Sequence, residues 1–148
     1  MAVTLAVKLV RRGAELPAYA HGASEDAGLD LIYCGEEPLV LAPLHRGLCT
    51  TGIAIQLPPG YEGQVRPRSG LALERGLTVL NAPGTVDPGY RGEVKVLLVN
   101  LSENVQAVAP GERVAQLIVA RYAKVVVKEC ASLSDSARNE EGFGSTNC

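Results

Sequence analysis

The sequence predicts an all-β domain, a sandwich, jelly roll or barrel of short strands carrying one short helix. Three observations predict it. Apolar and polar residues alternate with period two, as in Val3, Leu5, Val7 and Leu9 against Thr4, Ala6 and Lys8, the pattern of a strand with one buried face. Proline-glycine pairs punctuate the chain at Pro59-Gly60, Pro83-Gly84, Pro88-Gly89 and Pro110-Gly111, where turns are favoured. The later runs Val94–Val99, Val114–Val119 and Tyr122–Val127 are rich in valine, with isoleucine in the second, as strands prefer.

Taken in order, the first alternating run ends near Leu9. Ile53, Ile55 and Leu57 alternate with Ala54 and Gln56 up to Pro58-Pro59-Gly60, and Tyr61, Gly63 and Val65 alternate with Glu62, Gln64 and Arg66. Only Ser69-Gly-Leu-Ala-Leu-Glu-Arg75 reads as helical, about two turns, with Ser69 expected as N-cap and Gly76 as the stop. Val94–Val99 and Val114–Val119 are apolar on nearly both faces, which a second subunit packed against them would explain. Residues 1–131 are expected to form one domain and 132–148, rich in Ser, Asn and Glu, a mobile polar arm.

Composition excludes several classes. With 148 residues the chain suits one domain. Fourteen basic and sixteen acidic residues give a net charge of −2, and no basic cluster exceeds Arg11-Arg12, so a nucleic-acid surface is not expected. The four cysteines have no metal-like spacing and His21 and His45 form no ligand cluster with them; reduced thiols in a cytoplasmic protein are expected. The N-terminal apolar run is too short for a secretory signal, with its basic residues after rather than before it. No stretch reaches the roughly 20 apolar residues of a membrane helix.

The chemistry concentrates in one stretch. Nine residues separate Asn81 from Arg91 between two strand-like runs, and they hold a carboxylate, a phenol and two glycines. A hairpin needs only a short turn to close, so a loop this long and this polar suits a ligand. Just upstream, Pro67-Arg68-Ser69-Gly70 offers a cation, a hydroxyl and a glycine for close backbone approach, a combination suited to phosphate at a helix start. Together they suggest a small polyanion with a ring to be read. Individually these residues have plainer readings: Asp87 before Pro-Gly as a turn former, Asn81 as a strand end, Tyr90 as a half-buried and Lys95 as an exposed strand residue, Arg68 as a solvated helix start.

Five stretches in order decide between them: Asp26-Ala-Gly-Leu-Asp30; Pro67 to Ala72; Asn81 to Glu93; Gly111-Glu-Arg-Val-Ala-Gln116; and Arg138 through Gly142-Phe143-Gly144-Ser145-Thr146. In content and order they resemble the five motifs of the trimeric dUTPase family, over nearly the whole chain. The resemblance implies a jelly-roll homotrimer with active sites between subunits. It implies Mg2+-dependent hydrolysis of dUTP to dUMP and pyrophosphate, which keeps uracil out of DNA and supplies dUMP for thymidylate synthesis. It further implies Asp87 as the base that activates water, and Arg68, Ser69, Gly70, Gln116, Arg138, Gly144, Ser145 and Thr146 around the phosphates. Asn81 with the Gly84, Thr85 and Val86 backbone would read uracil, Tyr90 the sugar, Lys95 would stand in the substrate site, Phe143 would stack on the base, and Asp30 would support Mg2+ through water. The chain departs from the family where Asn139, Glu141 and Asn147 replace the usual glycines, and slower arm closure is expected.

Three other readings are weaker. A dCTP deaminase on a similar fold would need a carboxylate at C4 of cytosine and no terminal Phe-Gly lid. A silent binding module should have lost Asp87, Ser69 or Tyr90. A structural β-oligomer would leave the loop chemistry unexplained.

Overall fold

The computed structural model describes residues 2–144 and folds them into antiparallel sheets with one short helix. The elements run β1 (Ala6–Leu9), β2 (Leu29–Ile32), β3 (Leu39–Leu41), β4 (Arg46–Gln56), β5 (Tyr61–Arg66), α1 (Ser69–Arg75), β6 (Leu77–Val79), β7 (Gly84–Val86), β8 (Glu93–Asn100), β9 (Gln106–Val108) and β10 (Arg113–Arg121). One four-stranded sheet has the order β1-β4-β8-β6, a second β2-β10-β5-β7, and β3 pairs with β9. A single apolar core joins the two larger sheets, with Ile53, Val96 and Leu98 from the first and Leu31, Val65 and Leu117 from the second. Period-two alternation does what it predicts on β5, where Gly63 and Val65 are buried while their neighbours are not; along the first run it does not, because only Ala6–Leu9 form a strand and Val3 and Leu9 lie exposed.

The two runs expected to need a second subunit are largely satisfied within the chain. Val94, Val96, Leu98 and Val99 on β8 are buried, as are Val114, Ala115 and Leu117 on β10. The run Tyr122–Val127, by contrast, forms no strand, and Val125, Val126 and Val127 lie exposed. β10 ends at Arg121 and the β-branched residues beyond it pair with no strand; propensity alone does not make a strand.

The helix stops where expected. Gly76 takes the left-handed conformation at φ 62°, ψ 19°, and its N–H bonds back to the last turn. Its start is different: Arg68, not Ser69, is the N-cap, in extended conformation and without a side-chain cap. An arginine has no acceptor with which to cap; the Arg68 guanidinium lies 3.3 Å from Asp30, and Ser69 falls in the first turn. At the other end Arg75 anchors the helix, donating to Gln106 Oε1, Glu112 Oε2 and the Ala107 carbonyl.

Candidate active site

The hairpin between β6 and β8 is a true hairpin at its stem, with Leu77 opposite Asn100 and Val79 opposite Leu98. Its long loop is not free, however. The three residues of β7 cross to the other sheet and pair with β5, Gly63 opposite Val86 and Val65 opposite Gly84. β7 is an edge strand, so its outer backbone N–H and C=O groups are left to face something other than a sheet neighbour. What they border is a cleft of about 220 Å³ lined by Asn81, Gly84, Thr85, Val86, Asp87, Tyr90, Glu93 and Lys95. A Cβ on Gly84 would come within 3.1 Å of Asn81 Nδ2 and 3.4 Å of Val65, so glycine here lets the Asn81 amide lie against the strand. Asp87 follows β7 directly, exposed, and its carbonyl accepts the Tyr90 N–H at 3.1 Å. The Tyr90 hydroxyl donates to the Glu93 carbonyl at 3.0 Å.

A second cleft, of about 310 Å³, gathers Arg68, Ser69, Gly70, Gln116 and Asp30 with Gly28, His21 and Asp26. A Cβ on Gly28 would lie 2.3 Å from Gln116 Oε1, which explains the glycine: the Gln116 amide lies across it. The partner that a half-buried Gln116 requires is present in the chain itself, because Nε2 donates to the Pro67 carbonyl at 2.9 Å. Asp30 is buried between two arginines, Oδ1 3.3 Å from Arg68 Nε and Oδ2 3.3 Å from Arg113 Nη1. Its Oδ2 nevertheless accepts no hydrogen bond. A carboxylate so flanked is a poor direct metal ligand, and its buried Oδ2 keeps an unused acceptor. Among the described residues no group of three His, Cys, Asp or Glu could cage an ion.

The expected arm residues stand apart from both clefts. Arg138 donates to the Glu141 carbonyl, and Phe143 is fully exposed beside Gly144. Asn139, where the family usually has glycine, sits at φ 44°, a conformation asparagine tolerates better than most residues. Ser145 and Thr146 lie outside the described residues.

Three residues that line the clefts, His21, Asp26 and Glu93, and Arg113 beside Asp30 receive no role from the sequence. Hydrogen bonds from the His21 backbone and ring hold the Asp26 carboxyl below its usual range. The Glu93 carboxyl is likewise lowered, first by the Arg11 hydrogen bonds and despite its burial. Because its folded pKa lies below the ordinary 4.5, Glu93 contributes stability above pH 4.5 that is lost as the pH falls through the lowered value. The expected result is a Tm difference between the native chain and Glu93→Gln that is full near neutrality and closes on strong acidification; thermal unfolding followed by circular dichroism from pH 7 to pH 2 measures it. The thiols carry no comparable signal. Cys49 is buried, which pushes it up to about 12, and Cys34, Cys49 and Cys130 are all free.

Fold and site together define a class: an antiparallel β-protein that sets a backbone-walled slot with an adjoining carboxylate, and in a separate cleft an arginine, a hydroxyl and a glycine at a helix start, the layout of a nucleotide-handling enzyme. Comparison with known proteins narrows it. The dUTPase family model matches residues 14–147. The deoxyuridine 5'-triphosphate nucleotidohydrolases of Hydrogenobaculum sp. and Clostridium kluyveri are 52% and 51% identical, each over 96% of both chains. The structure of the Staphylococcus bacteriophage 80alpha dUTPase with dUPNHPP matches at a TM-score of 0.86 and 27% identity, covering 98% of this chain and 99% of that one. The chain belongs to the dUTPase family.

Proposed function

We propose that this chain hydrolyses dUTP to dUMP and pyrophosphate, with Asp87 activating the water that attacks the α-phosphorus. One observation carries the reading: an edge strand, β7, turns its free backbone groups and the Asn81 amide into a small slot, and an exposed carboxylate follows the strand's last residue. Backbone donors and acceptors in fixed positions complement the uracil edge. They mismatch cytosine, whose exocyclic amine would leave buried groups unpaired. Tyr90, held by its hydroxyl on the Glu93 carbonyl, would stand under the deoxyribose and refuse a 2′-hydroxyl. Attack by water needs no covalent nucleophile on the protein, only a base and an in-line geometry.

The triphosphate goes to the second cleft. Ser69 and Gly70 offer backbone N–H groups at an uncapped helix start, and Ser69 adds its hydroxyl. Arg68 adds charge, and Gln116 Nε2 keeps a second hydrogen beyond the one given to Pro67. The dUTPase family uses Mg2+. The residues here fit an ion that would arrive on the phosphates with its waters and be supported through water by Asp30, as magnesium usually prefers. Bound there, it would neutralise phosphate charge. Lys95 completes the uracil slot, and Arg138, Phe143, Gly144, Ser145 and Thr146 close over the nucleotide as an arm formed by residues 132–148.

The two clefts have no lining residue in common. That separation, with the exposed run Val125–Val127 beyond the last strand, supports a homotrimer in which neighbouring copies complete each site. Free thiols suit a reducing compartment, the cytoplasm. Among the described residues no helix is long and apolar enough to cross a membrane. The test is pyrophosphate release from dUTP, dCTP, dTTP and UTP with Mg2+, with the nucleotide product identified. Release from dUTP alone, giving dUMP, is expected; a deaminated product from dCTP, or no reaction with any nucleotide, overturns the reading.

A further inference from the structure

The pairing of β4 with β8 breaks beside the uracil slot. Thr50 faces Lys95 and Ala54 faces Glu93, so that Thr51, Gly52 and Ile53 stand against the single residue Val94. Irregularities of this kind re-aim side chains next to sites, and this one is tied down by side chains rather than by the ladder. Thr51 Oγ1 donates to the Val94 carbonyl, and the Gly52 N–H donates to Glu93 Oε1 at 2.9 Å. Gly52 has φ +70°, and a Cβ there would meet Ala14 Cβ at 2.5 Å and Cys34 Sγ at 2.8 Å, so the backbone is packed as closely as only glycine allows.

The remaining hold on Glu93 comes from far away in sequence. The Arg11 guanidinium forks onto its carboxylate, Nε to Oε1 at 2.6 Å and Nη2 to Oε2 at 2.9 Å. Val10 fixes the approach by donating to the Gly52 carbonyl at 2.7 Å. Exposed ion pairs contribute little as a rule. Here the geometry is bidentate and the Glu93 side chain is only 11% exposed, so loss of Arg11 strands a nearly buried carboxylate. Glu93 also supplies the carbonyl on which the Tyr90 hydroxyl rests. The ring lies so close over the preceding residue that a Cβ on Gly92 would come within 2.4 Å of the Tyr90 oxygen.

We propose that Arg11, acting through Glu93, is a positioning residue for sugar selection. It fixes the backbone that sets the Tyr90 ring, and so sets how firmly a ribose is refused. The inference rests on Tyr90 being the sugar filter, and the experiment separates the two. Values of kcat and KM for dUTP and UTP are measured for the native chain, Arg11→Met, Arg11→Lys, Glu93→Gln and Tyr90→Ala, alongside thermal unfolding. Arg11→Met should lower the preference for dUTP over UTP about tenfold, chiefly through a lower KM for UTP, with kcat on dUTP within about twofold. Arg11→Lys should recover part of the preference. Glu93→Gln, isosteric and uncharged, should move it in the same direction and carries the comparison if Arg11→Met does not fold. A lowered Tm with unchanged preference in Arg11→Met and Glu93→Gln, while Tyr90→Ala relaxes it, makes the pair purely structural and overturns the proposal. Unchanged preference in Tyr90→Ala instead removes the filter itself.

Discussion

Asp87→Asn is expected to lower kcat for dUTP by about a thousandfold, within the range for loss of a general base, while leaving the Kd for dUTP within about threefold. The substitution preserves shape and most hydrogen bonding; what it removes is the ability to accept a proton. The local backbone should not change, because the turn depends on Pro88 and on the Asp87 carbonyl that accepts from Tyr90, not on the carboxylate. The side chain is exposed at the cleft, so neutralising it strands no buried partner. Single-turnover rates and calorimetric titration with Mg2+ and dUTP measure the two quantities. Turnover within tenfold of the native chain would place water activation on another group. A large loss of binding would instead make Asp87 chiefly a holder of the nucleotide.

How much of this was legible in the sequence follows from the length scale of each signal. Strands whose partners bury one face announce themselves by alternation, as along Tyr61–Arg66, and Gly76 ends the helix because only its immediate neighbours matter. β7 could not be read this way. Three residues carry no periodicity, and membership of the opposite sheet depends on Val65 and Gly84 meeting across a long connection. The same holds for the arginines around Asp30 and for Arg11 on Glu93, contacts made only once distant strands are assembled. Tyr122–Val127 misleads in the other direction: its composition suits a strand, and it pairs with none. Local chemistry predicts what a residue can do, and tertiary pairing decides which residues do it together.

That division bears directly on how a site is completed, and mixing inactive subunits tests it. Asp87→Asn removes the proposed base from the first cleft and Ser69→Ala weakens the second, and these two clefts share no lining residue. If each site takes its slot from one copy and its phosphate cleft from a neighbour, neither variant alone turns over efficiently. Randomly reassembled mixtures, however, contain sites built from one undamaged half of each. With equal amounts and a closed ring, about a quarter of all sites should be intact, so activity should return to about a quarter of the native value. The variants would be unfolded together in denaturant, refolded, and assayed for pyrophosphate release, with light scattering to confirm a mass of three chains. If instead both halves of a site came from the same copy, every site in the mixture would carry one lesion or the other. Activity would then stay at the level of the separate variants, and shared sites would be ruled out. The comparison does not depend on how strongly either substitution acts, provided each separate variant falls well below a quarter of native activity.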